Sequence, residues 1–179
     1  MTDGAKSQPL AGIPADDPRR ALTVADPDGP AMRHVSVAGG TYTILVSGAD
    51  TAGRTCLLDM HVPDGAGPPP HRHDFEEMFT LLEGELEFTF RGETSTVRAG
   101  STVNIPANAP HGFRNVSGAA VRMLCMCTPA GVDAFFLAVG DLVESRTAPP
   151  PKLTAAEVGE RQKKAGSLLA EYRTEMVRW

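Results

Sequence analysis

The sequence lacks the features that mark several classes of protein. It has no hydrophobic run approaching the roughly eighteen residues that a membrane-spanning helix needs, and no run of basic residues longer than a pair. Its net charge is -5. Nucleic acid and membrane are therefore excluded as expected partners, since nucleic acid and anionic lipid both attract clustered Lys and Arg. The first residues also lack the apolar core of a secretory signal, which predicts a cytoplasmic location.

Cysteine is scarce, with only Cys56, Cys125 and Cys127 in the chain. An odd and sparse set is not a disulfide framework. Cys125 and Cys127 alternate with apolar residues, which favours two small hydrophobic side chains on one face of a strand. The alternative is a C-x-C metal or redox pair, but no second pair of cysteines completes such a site.

Glycine and proline are abundant, with 18 and 15 residues in a chain of 179. The length fits one domain with extensions. We expect a polar N-terminal arm over residues 1–30, an all-β barrel over 31–128 and a helical C-terminal extension over 129–179. Turn residues about every ten positions are typical of a sandwich or barrel. The candidate strands are His34–Val37, Thr41–Val46, Cys56–Val62, Met78–Leu82, Leu86–Phe90, Ser95–Arg98, Thr102–Ile105, Gly112–Asn115 and Val121–Cys127.

The C-terminal extension has helical patterns. Val132–Val139 is a short apolar helix candidate, and the prolines at 149–151 break the chain after it. A second helix is predicted over Thr154–Met176, with Thr154 as N-cap and Glu157 completing a capping box. Its apolar stripe needs a surface to cover it, either the barrel or a second subunit. The stripe consists of Val158, Ala165, Leu169, Tyr172 and Met176.

The segment around His71 and His73 carries candidate metal ligands. Residues two apart on a strand point to the same side, so both imidazoles can reach one ion. A straight strand would carry Glu77 about 13 Å beyond His73, at about 3.3 Å per residue. The chain must therefore turn back near residues 74–76 if Glu77 is to share that ion.

A second segment adds His111, which follows Pro106 and Pro110. Three imidazoles and one carboxylate form a mixed nitrogen and oxygen donor set. That set suits one divalent transition metal ion (Fe, Ni, Co, Mn, Cu or Zn) and differs from the all-oxygen sites of calcium. His34 and His61 have no partners at matching spacing and are interpreted as non-ligands.

Together these segments resemble the two motifs of the cupin superfamily, written G-x5-H-x-H-x3,4-E-x6-G and G-x5-P-x-G-x2-H-x3-N. The first motif is matched by Gly65, His71, His73, Glu77 and Gly84, and the second by Gly100, Pro106, His111 and Asn115. Asn108 replaces the internal glycine, and asparagine tolerates a positive φ. The resemblance implies an antiparallel jelly-roll barrel of a single-barrel cupin, with metal ligands His71, His73, Glu77 and His111. It selects Glu77 over Glu76, which is expected to face solvent or an arginine.

A group of apolar residues predicts a substrate pocket beside the metal: Met60, Phe79, Phe88, Phe113 and Met123. Each could equally belong to the barrel core. An apolar cavity around a polar centre is the usual composition of a small-molecule site.

Three functions fit this chain. The segments resemble quercetin dioxygenase-like cupins, which implies a dioxygenase that uses O2 on a small aromatic or enolisable substrate, with Glu77 as catalytic base. The second is a metal-dependent cyclase or isomerase of small-molecule biosynthesis, and the third is a non-catalytic cupin that binds a small ligand. We also expect a homodimer, because cupin barrels often pair through their sheets.

Overall fold

The computed structural model describes residues 12 and 14–178, and strands dominate it. The elements, in chain order, are β1 (Arg33–Val37), β2 (Gly40–Val46), β3 (Cys56–Val62), β4 (His71–His73), β5 (Glu76–Glu83), β6 (Glu85–Phe90), β7 (Glu93–Arg98), β8 (Thr102–Ile105), β9 (His111–Arg114), β10 (Val121–Thr128), α1 (Val132–Val139), β11 (Asp141–Val143), α2 (Ala155–Leu168) and β12 (Thr174–Met176).

Two sheets hold these strands. One has seven strands in the order β11-β1-β2-β3-β10-β5-β8, and the other has five in the order β12-β4-β9-β6-β7. All the pairings are antiparallel. Buried side chains alternate along β5 and β10, as the two-residue period of a strand requires. Apolar residues of both sheets join in one core, and the predicted all-β fold with a C-terminal helix is confirmed.

Every strand predicted from the sequence is present, with small shifts at the ends. The sequence did not predict β11 and β12, and it treated His71–His73 only as a short extended segment. Each of these strands has three residues, which is too short to show alternation. Asn108 has a φ of 68°, so the prediction that it takes the place of a left-handed glycine is confirmed.

The prediction for the second helix is wrong at the C-terminal end. The capping box of Thr154 and Glu157 is formed, but α2 ends at Leu168. Arg173 then adopts a left-handed φ of 56°, and the chain continues into β12. There Met176 pairs with His71 across the β12–β4 ladder. Pairing with another strand therefore overrides the helical pattern, and the apolar stripe is divided among α2, the turn after it and β12.

The first helix of the extension spans the predicted residues Val132–Val139. The predicted N-terminal arm lies partly outside the described residues, and its described part, residue 12 and residues 14–30, contains turns but no helix or strand. The division of the chain at residues 30 and 128 stays a prediction. Among the helices described, none is long and apolar enough to cross a membrane.

Candidate metal centre

Four predicted ligands converge where three strands meet. His71 and His73 are the ends of β4, and Glu77 lies near the start of β5 after a bend at residues 74–75. His111 begins β9 and pairs directly with His71. One donor atom from each of the four side chains lies within 4.8 Å of the others. The strand, the bend and the second proline-rich segment thus bring together the residues that the sequence singled out.

The spacing of the donor atoms suits a single ion. Glu77 Oε2 lies 3.1 Å from Nε2 of His73 and 3.1 Å from Nε2 of His111. Two ligands at right angles on an ion, with bonds of about 2.1 Å, stand about 3.0 Å apart. The cluster can therefore hold a metal ion without a large movement of these three side chains.

Hydrogen bonds on the other side of each imidazole support the same conclusion. Nδ1 of His71 contacts the carbonyl of Pro69, and Nδ1 of His111 contacts that of Ala109. Nδ1 of His73 lies 2.9 Å from a carbonyl in the same way. A carbonyl only accepts, so each Nδ1 must carry the proton. With Nδ1 held in this way, Nε2 of each ring faces the centre. Without a metal ion, Nε2 of His73 and of His111 donates to Glu77 Oε2, and it gives up that proton to bind an ion.

Electrostatics hold the cluster in the state that binds a cation. Burial opposes ionisation of Glu77, but hydrogen bonds from His111 and His73 outweigh it and hold the pKa of that carboxyl well below its usual range. Burial, reinforced by His111, lowers the pKa of His71 to about 4. At neutral pH Glu77 is therefore ionised and His71 is neutral.

Other side chains near the centre have supporting or unrelated roles. Phe75 stacks on His73 with 3.6 Å between ring centroids, which fixes the orientation of that imidazole. Glu76 points away and accepts hydrogen bonds from Asn104 and a backbone amide, so its partner is not an arginine. His34 contacts Thr43 through Nδ1 and lies outside the cluster.

A pair of thiols lies behind Glu77, on the neighbouring strand β10. Cys125 Sγ donates to Glu77 Oε1 at 3.3 Å, and Cys127 Sγ lies 3.8 Å from the same oxygen. The hydrogen bond between Cys125 and Cys127 lowers the pKa of Cys125. Burial and the Glu77 carboxylate outweigh this effect and raise the pKa of Cys125 to about 12. The thiols therefore stay protonated and donate to Oε1, which leaves Oε2 for the cation.

Removing the Cys125 donor should weaken metal binding. We expect Cys125→Ala to raise the dissociation constant for Zn²⁺ about tenfold, because a ligand that loses its supporting hydrogen bond is less well oriented. Cys125→Ser keeps a donor and should retain most of the affinity. Competition with a chromogenic chelator gives the constants.

Cys56 supplies a matched control, since it is also buried but lies opposite Cys127 on β3 rather than against Glu77. Cys56→Ala should bind Zn²⁺ as the unaltered protein does. An unchanged constant in Cys125→Ala would contradict the supporting role.

An apolar cavity of about 460 Å³ opens beside the cluster. Its barrel side includes His71, His73 and Glu77 together with aromatic and apolar residues. Neither Lys nor Arg occurs among the described residues that line it. A carboxylate or phosphate would find no counter-charge there apart from a bound metal, so the cavity favours an uncharged, mostly apolar molecule.

The predicted pocket residues divide into two groups. Met60, Phe79 and Phe113 line the cavity. Phe88 and Met123 do not: Phe88 packs on Phe79 and Phe113 within the core, and Met123 is fully buried. Phe88 and Met123 are part of the core cluster, so their part in a substrate pocket stays a prediction.

The opposite wall of the cavity comes from the C-terminal extension. α1 contributes Phe135 and Phe136, α2 contributes Ala165 and Gly166, and β12 contributes Met176. Of the predicted apolar stripe, Ala165, Leu169 and Met176 line the cavity, whereas Val158 and Tyr172 do not. We call the cavity-lining residues of α2 and β12 the outer wall.

The low pKa of His71 predicts how the metal-free protein responds to acid. The unfolded chain protonates this histidine near pH 6.5, whereas the folded protein does so only near 4. The unfolded state therefore binds more protons in this window, so stability falls as the pH is lowered from 6.5 to 4. Urea unfolding of metal-free protein at several pH values measures this, and His71→Gln should show a shallower dependence. Equal slopes for the two proteins would contradict the assignment.

Comparison with known proteins gives partial matches. The family model described as Cupin domain matches residues 58–127. Quercetin 2,3-dioxygenase of Bacillus subtilis is 28% identical over 109 residues, which are 60% of this chain and 32% of that protein. Polyketide synthase CurC of Streptomyces cyaneus is 38% identical over 60 residues, or 33% of this chain and 39% of that protein.

A solved structure shows the same fold. A predicted oxalate decarboxylase of Thermotoga maritima superposes with a TM-score of 0.53 at 19% identity, over 59% of this chain and 98% of that one. The chain spans 59%, 32% and 31% of the length of three curated relatives that it matches.

Proposed function

This chain belongs to the cupin superfamily, and from that premise we propose that it is a metal-dependent dioxygenase of a small, uncharged aromatic or enolisable substrate. One observation carries the proposal: His71, His73 and Glu77 of the candidate centre line an apolar cavity of about 460 Å³. A volume of this order accommodates a molecule of two or three rings. The partial likeness to a quercetin dioxygenase supports the same reaction class.

The residues of the chain have distinct parts in such a reaction. When bound, the metal ion would supply Lewis acidity toward an enol or phenol oxygen and, if redox-active, reactivity toward O2. Glu77 is ionised, so its carboxylate can accept the proton of a substrate hydroxyl, either as a metal ligand or after it has swung free of the ion. Phe79 and Phe113 offer ring faces to the substrate, and the cavity walls exclude water from it.

Oxygen uptake tests the proposal. Protein reconstituted separately with Fe²⁺, Ni²⁺, Co²⁺, Mn²⁺ or Cu²⁺ should consume O2 when quercetin, 3-hydroxyflavone or acetylacetone is added. Mass spectrometry of the products should show the incorporation of both oxygen atoms from ¹⁸O2. Glu77→Gln should reduce the rate. No uptake with any metal and substrate would contradict the dioxygenase.

A cyclase or isomerase is the second candidate, and the match to a polyketide synthase component favours it. Here Glu77 and a bound metal would polarise a carbonyl and move protons without O2. Conversion of a polyketone substrate under argon would decide for this function. A non-catalytic binding protein is the third candidate, and it predicts ligand affinity that survives Glu77→Gln.

We also propose that the protein is a homodimer and that its ligand is a small-molecule substrate. Light scattering at working concentration should give about twice the mass of 18.9 kDa. A mass equal to one chain would contradict this.

A further inference from the structure

Tyr42 stands out among the residues of the cavity. It lies on β2, is 2% exposed and packs against Phe136 of α1 with 5.0 Å between ring centroids. A Cβ added at Gly40 would stand 2.9 Å from Tyr42 Cε1, so the ring lies against the backbone of its own strand. The ring therefore has a fixed position between α1 and β2.

The hydroxyl of Tyr42 differs from the other buried polar groups in its hydrogen bonding. Within the described chain, every side-chain nitrogen or oxygen that is sealed from solvent has a hydrogen-bond partner. The Tyr42 hydroxyl makes no side-chain hydrogen bond to those residues, so it is not among the sealed atoms. Because Tyr42 lines the cavity, we take the hydroxyl to open onto it. That cavity also contains His71, His73 and Glu77.

The hydroxyl is available as a donor. Burial, reinforced by Cys125 and Glu77, raises the pKa of Tyr42 well above its usual value. A phenol that keeps its proton in an apolar cavity is stabilised when it finds an acceptor, because an unpaired hydroxyl there is unfavourable. Phenylalanine would pack on Phe136 equally well, so core packing does not account for the oxygen.

We infer that Tyr42 is a substrate-binding residue, whose hydroxyl donates a hydrogen bond to a second oxygen of the substrate while a first oxygen faces the metal ligands. This inference rests on the proposed function and narrows its substrate class. The ligand is an uncharged ring compound with at least two oxygens. The second oxygen is a carbonyl or hydroxyl, since neither Lys nor Arg lines this part of the described chain. Tyr42 thereby determines specificity for oxygenated rings over hydrocarbons.

Binding without turnover tests this role. Protein loaded with redox-inert Zn²⁺ is titrated under argon with 3-hydroxyflavone and with 2-phenylnaphthalene, a hydrocarbon of similar shape, and fluorescence reports both. Tyr42→Phe should weaken binding of 3-hydroxyflavone about tenfold and leave 2-phenylnaphthalene unchanged, because only the former offers an acceptor. Zinc content and melting temperature confirm that the variant is intact.

Tyr172 is the other tyrosine of the chain and contacts Phe135 outside the cavity lining. Tyr172→Phe is thus the matched control and should bind both probes normally. Equal affinity of Tyr42→Phe and the unaltered protein for 3-hydroxyflavone would overturn the inference while leaving the proposed function in place. Equal weakening for both probes would also overturn it, since that would show a packing role. If the unaltered protein does not bind 3-hydroxyflavone, the inference fails together with the proposed class of aromatic substrate.

Discussion

Alanine at His111 should leave a folded protein that does not retain a metal ion. The imidazole is 1% exposed, and its Nε2 lies 3.1 Å from Glu77 Oε2. Its removal takes away one of four donors and one of the two histidines that hold the Glu77 carboxylate. After dialysis against EDTA and reconstitution, elemental analysis should find about one equivalent of metal in the unaltered protein and almost none in the variant.

The control for this variant is His61→Ala. His61 lies on β3, partly exposed, and is not a member of the cluster. It should bind metal normally, and excess Zn²⁺ should raise its melting temperature as it does that of the unaltered protein. His111→Ala should show no such rise. A full equivalent of metal in His111→Ala would contradict the assignment of the centre.

Gly67→Ala should destabilise the fold more than Gly65→Ala does. Gly67 has a φ of 144°, and an added Cβ would stand 2.2 Å from the carbonyl oxygen of Phe113. That oxygen belongs to β9, whose backbone cannot retreat without moving His111. Left-handed strain costs about 1–2 kcal/mol and overpacking about 1–3 kcal/mol, so we expect a loss of about 4 kcal/mol.

Gly65 separates strain from crowding, since its φ is 79° and its Cβ would meet nothing within 4 Å. Gly65→Ala should therefore cost only about 1 kcal/mol. Guanidinium unfolding monitored by circular dichroism gives both values. Gly67→Ala should also bind Zn²⁺ more weakly, because the clash displaces β9. Equal stability of the two variants would show that the backbone at Phe113 adapts freely.

The sequence predicted those parts of the structure that local patterns determine. Turn residues divide the chain into strands of sufficient length, and β5 and β10 show clear alternation. The ligand spacing reflects the bend after His73 and the left-handed turn at Asn108, both of which depend on nearby residues.

The remaining parts depend on contacts between distant segments. Cys125 reaches Glu77 only because β10 pairs with β5, and no periodicity in either strand reveals that register. Met176 continues a helical pattern, yet the ladder with β4 places it in a strand. In the sequence, Tyr42 is one aromatic residue of a predicted strand. Its place in the cavity lining depends on the packing of distant segments.

The outer wall differs from the barrel in how freely it can evolve. No residue of α2 is buried, although Ala165 and Gly166 face the cavity. Substitutions at such exposed positions usually change stability by less than about 0.5 kcal/mol, whereas those among the metal ligands disturb a buried network. Substitutions in this helix alone can therefore change the shape of the cavity during evolution. The four candidate ligands His71, His73, Glu77 and His111 stay the same.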